Sequence, residues 1–320
     1  MQTSLTPASA SSTALAHLDA QVRAHLDSSR APNTRKAQAC DLRSYAAFCE
    51  THQLCETEPT TLSRYLAQLD TSGAAPATIL RRASTIRRAL PQTAHPAVIE
   101  QLAGISRLAA RAGRPQKLAP ALMPEALAPM LDALPHTLAG LRDRALLLLG
   151  WAGAFREEEL VRLCWENLET QEKGLLLTLP FSKTDQTGKI RTVCVHRQQG
   201  TCPVAAVQAW QRAAGLSSGP VLRSVTRHGA VAACLSVSSV DAVLQRAAAA
   251  AGLPTRYTGH SLRAGWITTA YQEGMSEPDI MLHTGHKSPL SLRRYRRDAD
   301  KWLAASASPL ARLGKIARAA

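Results

Sequence analysis

The chain has 320 residues, 45% of them hydrophobic and 19% charged, which is enough for two domains and excludes both a peptide-scale module and an intrinsically disordered protein. Lys and Arg total 38 against 24 Asp and Glu, a net charge of +14, and thirty of the basic residues are Arg, so a polyanionic partner is expected. The longest apolar run, Ala145–Phe155, spans 11 residues and is too short for a bilayer, so no membrane is expected; the start, MQTSLTPASASS, lacks the basic and apolar regions of a secretion signal, which makes the cytoplasm the expected location.

Residues 1–12 read as a disordered, Ser/Thr/Ala-rich start, and 13–112 as a helical domain. Leu15, Leu18, Val22 and Leu26 lie at helical spacing across 13–28. A second helix starts at Asn33-Thr34 and runs through Tyr45 and Phe48, and a third follows Pro59-Thr60. The fourth, about 76–90, sets Ile79, Ala83, Ile86 and Leu90 on one stripe, with Arg81 and Arg88 opposite and Arg82 and Arg87 flanking. No acidic residue lies between Asp70 and Glu100, so these four arginines are candidate phosphate contacts, against the plainer reading of a solvated face.

Gly, Pro and cations in 113–118 read as a linker, and 119–320 as a second domain. Its expected helices lie near 123–134, 138–153, 203–214, 237–251 and 260–273. Two strands, 174–180 and 190–195, flank a polar turn and predict a hairpin. The fold class is therefore mainly α with a small antiparallel β-sheet. The seven cysteines form no C-x-x-C pair, so reduced cysteines, mostly in the core, are expected in place of disulfides or a zinc ribbon.

Four patterns in the second domain carry chemistry. Arg156 and Glu159 stand one helical turn apart, so the carboxylate can fix the guanidinium fork. Lys183 lies in the hairpin turn, with Lys189 as a second lysine there. In Gly-His260-Ser-Leu-Arg263 the spacing puts an imidazole and a guanidinium on one face of a helix start. In the fourth, His286 precedes by nine residues Tyr295, which four arginines flank; nearby cations favour a phenolate and so a nucleophile. Taken singly, each also reads as ordinary surface chemistry.

In this order, Arg156, Lys183, His260-x-x-Arg263, His286 and Tyr295 resemble the tyrosine recombinases, also called the phage integrase family, with 45–114 and 260 onward most similar to the Cre recombinase group. The resemblance implies a SAM-like, core-binding helical domain followed by a tyrosine recombinase catalytic domain, acting on double-stranded DNA. It implies that Tyr295 attacks a phosphodiester to give a 3′-phosphotyrosine, with Arg156, Arg263 and His286 on the phosphate oxygens. Lys183 would protonate the 5′-oxygen, His260 would assist proton transfer, and Glu159 would orient Arg156 or His260 from behind.

No cofactor or metal is implied. A homo-oligomer is: a tetrameric synapse on DNA held through a C-terminal helix opening at Ser308-Pro309, with Leu310, Leu313 and Ala317 on its apolar side. The expected setting is the nucleoid of a bacterium, with the chain encoded there or on a phage or plasmid.

Departures from the family pattern are Glu157 and Glu158, which would oppose a phosphate if they pointed inward, and Lys189 as a rival to Lys183. Alternatives are a type IB topoisomerase-like strand transferase, a DNA-binding relative that does not cut, and a metal hydrolase on His260, His283 and His286. The last lacks H-E-x-x-H spacing, and His283 is more simply a helix-end residue.

Overall fold

The computed structural model describes residues 16–25, 32–113, 119–179, 191–293 and 295–296. It divides into two compact units, residues 1–118 and 119–320. The described residues are mainly helical, with one three-stranded antiparallel sheet among them.

In the first unit, α1 (16–25) is followed by α2 (Pro32–His52), α3 (Pro59–Thr71), α4 (Pro76–Ala89) and α5 (Pro96–Arg111). Helices α3, α4 and α5 each open on a proline, whose fixed φ suits a first helical turn that has no use for its N–H. The core is built from Tyr45, Leu62, Leu66, Ile79, Ile86 and Val98, all at most 1% exposed. Ile79, Ala83 and Ile86 are the buried stripe of α4, as its periodicity predicts. In α1 every residue is exposed, Leu18 and Val22 included, so nothing among the described residues covers its apolar side.

The second unit is organised around α7 (Leu138–Ala152), nine of whose residues are buried; two of them, Arg142 and Asp143, are paired with each other. It packs against α9 (Pro203–Ala214) and α11 (Gly259–Gln272). The remaining helices are α6 (Pro124–Asp132), α8 (Glu157–Val161), α10 (Val237–Ala250) and α12 (Glu277–Thr284). Trp210, fully buried on α9, keeps its indole N–H satisfied by donating to the Val221 carbonyl at 2.7 Å.

The sheet order is β1 (Leu168–Gln171), β2 (Gly174–Leu179), β3 (Arg191–His196). Leu175, Leu177 and Leu179 face the core beside Val193 and Val195, with Leu177 opposite Val193 and Leu175 opposite Val195. The sequence reading missed β1: Leu-Glu-Thr-Gln has no apolar alternation, and its strand character comes from pairing with β2.

Two further expectations are corrected. All seven cysteines are free, but only Cys49 and Cys202 are buried; in β3, for instance, the alternation that buries Val193 and Val195 turns Cys194 outward. The basic ridge of α4 is also partly neutralised, at Arg81 and Arg82 of its four arginines. Asp41 of α2, 1% exposed, pairs with both Arg81 and Arg82 and accepts from Thr85 Oγ1 at 3.2 Å. The neutralising carboxylate comes from another helix, 40 residues earlier, where a local sequence window does not look.

Candidate functional site

α7 ends at Gly153, and Ala154 takes φ of 46°, a left-handed conformation that costs an L-residue about 1–2 kcal/mol. That turn aims the Ala154 carbonyl at Arg263, whose Nη1 donates to it at 2.6 Å. Phe155, 2% exposed, anchors the segment, and Arg156 follows as the residue capping α8.

Glu159, on the first turn of α8 and 6% exposed, reaches back to Arg156 twice. Its Oε1 accepts from Arg156 Nη1 at 2.7 Å and its Oε2 from the Arg156 backbone N–H at 3.0 Å. A third donor arrives from β3, where Arg191 Nη2 donates to Oε2 at 2.9 Å. Burial alone would raise the Glu159 carboxyl, but Arg191, Arg156 and the Arg156 N–H outweigh it and hold it below the usual carboxylate range. It is an anion in the folded chain.

α11 carries Arg263 and is laid closely against the segment entering α6. Gly265 makes this possible, since a Cβ there would lie 1.9 Å from the Leu122 carbonyl oxygen. The Leu122 N–H in turn donates to Ser261 O at 2.9 Å. Arg263 is 3% exposed, and its Nη2 donates to Thr284 O at 2.7 Å and lies 3.2–3.3 Å from the two ring nitrogens of His286. Burial, then the proximity of Arg156 and Arg191, pull Arg263 down to about 9, while Glu159 and Tyr295 act in the other direction. Three guanidiniums within electrostatic reach of one another, with one carboxylate among them, make a pocket suited to an anion.

His286 follows Gly285, the left-handed cap of α12. The Thr284 hydroxyl donates to Ile280 O at 2.6 Å, so toward His286 Nδ1, 2.7 Å away, it acts as the acceptor. Tyr295 packs against the small cluster of Ile267, Ala270, Ile280 and Leu292, and its backbone N–H donates to Leu292 O at 2.9 Å.

His260 occupies the first turn of α11 with its side chain 57% exposed. Its backbone N–H donates to Glu157 Oε1 at 3.0 Å, and the Gly259 N–H donates to Asp241 at 2.9 Å. Glu157 is therefore spent on the positive end of α11, with its carboxyl raised by burial and then by Asp241. His283 stacks on Trp266, ring centroids 4.1 Å apart, with Nε2 2.9 Å from Ala152 O. Burial pulls it down to about 4, so it is neutral at pH 7.

Of the residues singled out from sequence, Arg156, Glu159, Arg263, His286 and Tyr295 come together. Lys183 and Lys189 lie outside the described residues, as does the expected helix after Ser308. Arg81, Arg82, Arg87 and Arg88 belong to the first unit; Arg82 is half-buried, bonded to Ser44 and Tyr65, while Arg88 is exposed. Arg191 was missed, because nothing local distinguishes an arginine at a strand start from its neighbours. Tyr257, the nearest rival nucleophile by sequence, is 7% exposed within the core of the second unit. Among the described residues, no group of three or more His, Cys, Asp and Glu could hold a metal ion, and no helix is long and apolar enough to cross a membrane.

A sequence model of the phage integrase family matches residues 121–301. The integrase/recombinase xerD homolog of Selenomonas ruminantium is 31% identical over 291 residues, covering 87% of this chain and 85% of that one. Among solved structures, the XerH site-specific recombinase bound to palindromic difH substrate, a post-cleavage complex, superposes with a TM-score of 0.61 at 18% identity over 87% of this chain and 79% of that one. A lambda integrase tetramer bound to a Holliday junction gives 0.55 at 17%, over 81% and 72%.

Proposed function

Because this chain belongs to the phage integrase family, that of the tyrosine recombinases, we propose that it is a site-specific DNA recombinase which cuts and rejoins strands through a 3′-phosphotyrosine. The observation that carries the site assignment is the setting of Arg263. Its buried guanidinium is held by two backbone carbonyls, touches His286, and lies within electrostatic reach of Arg156 and Tyr295.

In this reading the Tyr295 hydroxyl oxygen attacks a phosphodiester and the bond from phosphorus to the 5′-oxygen breaks. His260 helps remove the tyrosine proton, and Lys183 supplies one to the departing 5′-oxygen. Charge grows on the non-bridging oxygens, where Arg156, Arg263 and His286 donate. Glu159 orients Arg156 from behind. Attack by another 5′-hydroxyl reverses the step and reseals the strand without a cofactor.

The domain at 13–112 binds double-stranded DNA, with Arg81, Arg82, Arg87 and Arg88 on its basic helix; 113–118 is the linker and 119–320 the catalytic domain. Exposed Arg88 is the best placed of the four, since Arg82 is already bonded within its own unit. The chain works as a tetramer on DNA, its C-terminal segment docking on a neighbouring copy through Leu310, Leu313 and Ala317. Truncation after Lys301 then leaves half-site binding intact and abolishes tetramer formation on native gels; tetramers from the truncated chain would overturn that arrangement.

The test of the reaction is to incubate the protein with nicked duplexes of randomised sequence and collect adducts that survive denaturation. Wild type gives a tyrosine-linked 3′ adduct at a defined site, and Tyr295→Phe binds the selected DNA equally but gives none. No adduct from wild type, or an adduct from Tyr295→Phe, sinks the assignment.

A further inference from the structure

We propose that Arg191 is a positioning residue of this site, the tie that holds the Arg156 side and the His286 side of the clamp in one register. The two sides come from segments far apart in the chain. Arg156 sits before α8, and His286 follows α12. Arg191, at the start of β3, bonds to both: Nη2 donates to Glu159 Oε2 at 2.9 Å and Nη1 to the His283 carbonyl at 3.1 Å.

The first bond acts on Arg156 through the carboxylate they share, since Glu159 can hold Arg156 in one orientation only if its own second oxygen is fixed. The second bond acts on His286. Free carbonyls at the end of a helix need donors, and those of α12 receive one from Arg191 at His283 and one from Arg263 at Thr284. With its end pinned at two carbonyls, α12 delivers Gly285 and then His286 from a fixed point. Gly285 is fitted to this arrangement as well: its φ of 68° needs no side chain, and a Cβ there would lie 2.8 Å from Arg191 Cδ and 2.9 Å from Nη1. The guanidinium therefore occupies the space beside the turn that presents His286.

Charge alone does not explain an arginine here. Burial, and then repulsion from Arg156 once the Glu159 attraction is counted, make the position a costly one for a cation, and Arg191 is pulled below the usual arginine range. What a planar fork supplies is two divergent donors at a fixed angle, one for a carboxylate and one for a carbonyl. Lysine offers all its donors from one nitrogen, and so lacks the two separated, divergent nitrogens that Arg191 uses.

The inference rests on the recombinase reading for its catalytic consequence, but the tie itself can be tested on the DNA-free protein. In full-length Arg191→Ala and Arg191→Lys, amide hydrogen exchange at Gly285 and His286, both bonded to Met281 O, should quicken about tenfold or more, with α9 amides unchanged. In the adduct assay, Arg191→Lys should bind DNA within about twofold of wild type and form the covalent complex about 100-fold more slowly, the loss expected when a reacting group is misplaced by an ångström. Arg191→Ala should be as slow, and adding Glu159→Gln to it should cost little more, because the two act as one unit. Unchanged exchange at Gly285 and His286 would overturn the tie whatever reaction the protein performs. Faster exchange with wild-type cleavage by Arg191→Lys, or fully additive losses with Glu159→Gln, would overturn the positioning role. Absence of adducts from wild type would count against the recombinase reading alone, leaving the exchange result to decide the tie.

Discussion

Acidification should destabilise the second unit through His283. Its ring is held neutral, stacked on Trp266 with Nε2 on the Ala152 carbonyl, and burial, the largest influence, drags its protonation from an ordinary 6.5 down to about 4. Between those two values the unfolded chain carries a proton that the folded chain refuses. Stability is therefore fully present above about pH 6.5, falls as the pH drops through that window, and levels off below about 4. At roughly 1.4 kcal/mol per tenfold change in proton affinity, the gap is worth on the order of 3 kcal/mol. His283→Gln keeps an amide donor for Ala152 O and cannot titrate. Urea unfolding at several pH values between about 7 and 4 can be followed by tryptophan fluorescence, which reports the second unit alone because Trp151, Trp165, Trp210, Trp266 and Trp302 all lie in it. The wild-type stability should fall by about 3 kcal/mol more than that of His283→Gln over this range. Parallel curves for the two proteins would refute the account.

Gly285→Ala should cost about 1–3 kcal/mol, because the left-handed φ and the contact with Arg191 both oppose a Cβ; a melting temperature equal to wild type would contradict this. Asp41→Ala should destabilise the first unit by about 3 kcal/mol, measured by circular dichroism on residues 1–118, since it strands Arg81 and half-buried Arg82 without their carboxylate; a loss below about 1 kcal/mol would mean that water serves them equally well. Lys183→Ala should slow cleavage of ordinary DNA far more than of a substrate with sulfur at the 5′-bridging position, because a thiolate departs without a proton. Equal losses on the two substrates would remove Lys183 from that role, and Lys189→Ala is the control.

Much of this architecture was legible because it is local. Pro203–Ala214 has the bounds its periodicity predicts, since a proline opens it and a glycine in the left-handed region closes it. Arg156 and Glu159 are one turn apart, so their bond could be read from spacing. What escaped depends on chain topology. β1 is a strand because β2 lies beside it, Asp41 pairs with Arg81 and Arg82 of α4 from another helix, and Arg191 matters because the fold carries β3 to the end of α12. Composition likewise could not say that Glu157 caps α11 in place of opposing an anion.

The carbonyls of Ala154, His283 and Thr284 do something for this site that carboxylates could not. A carboxylate that grips a guanidinium also cancels its charge, whereas a peptide dipole grips without cancelling. Among the described residues only Glu159 subtracts a full unit from the three arginines, so most of their field survives the act of holding them still. The strained backbone at Ala154 is, in these terms, the cost of rigidity that leaves the electrostatic potential intact for an incoming polyanion.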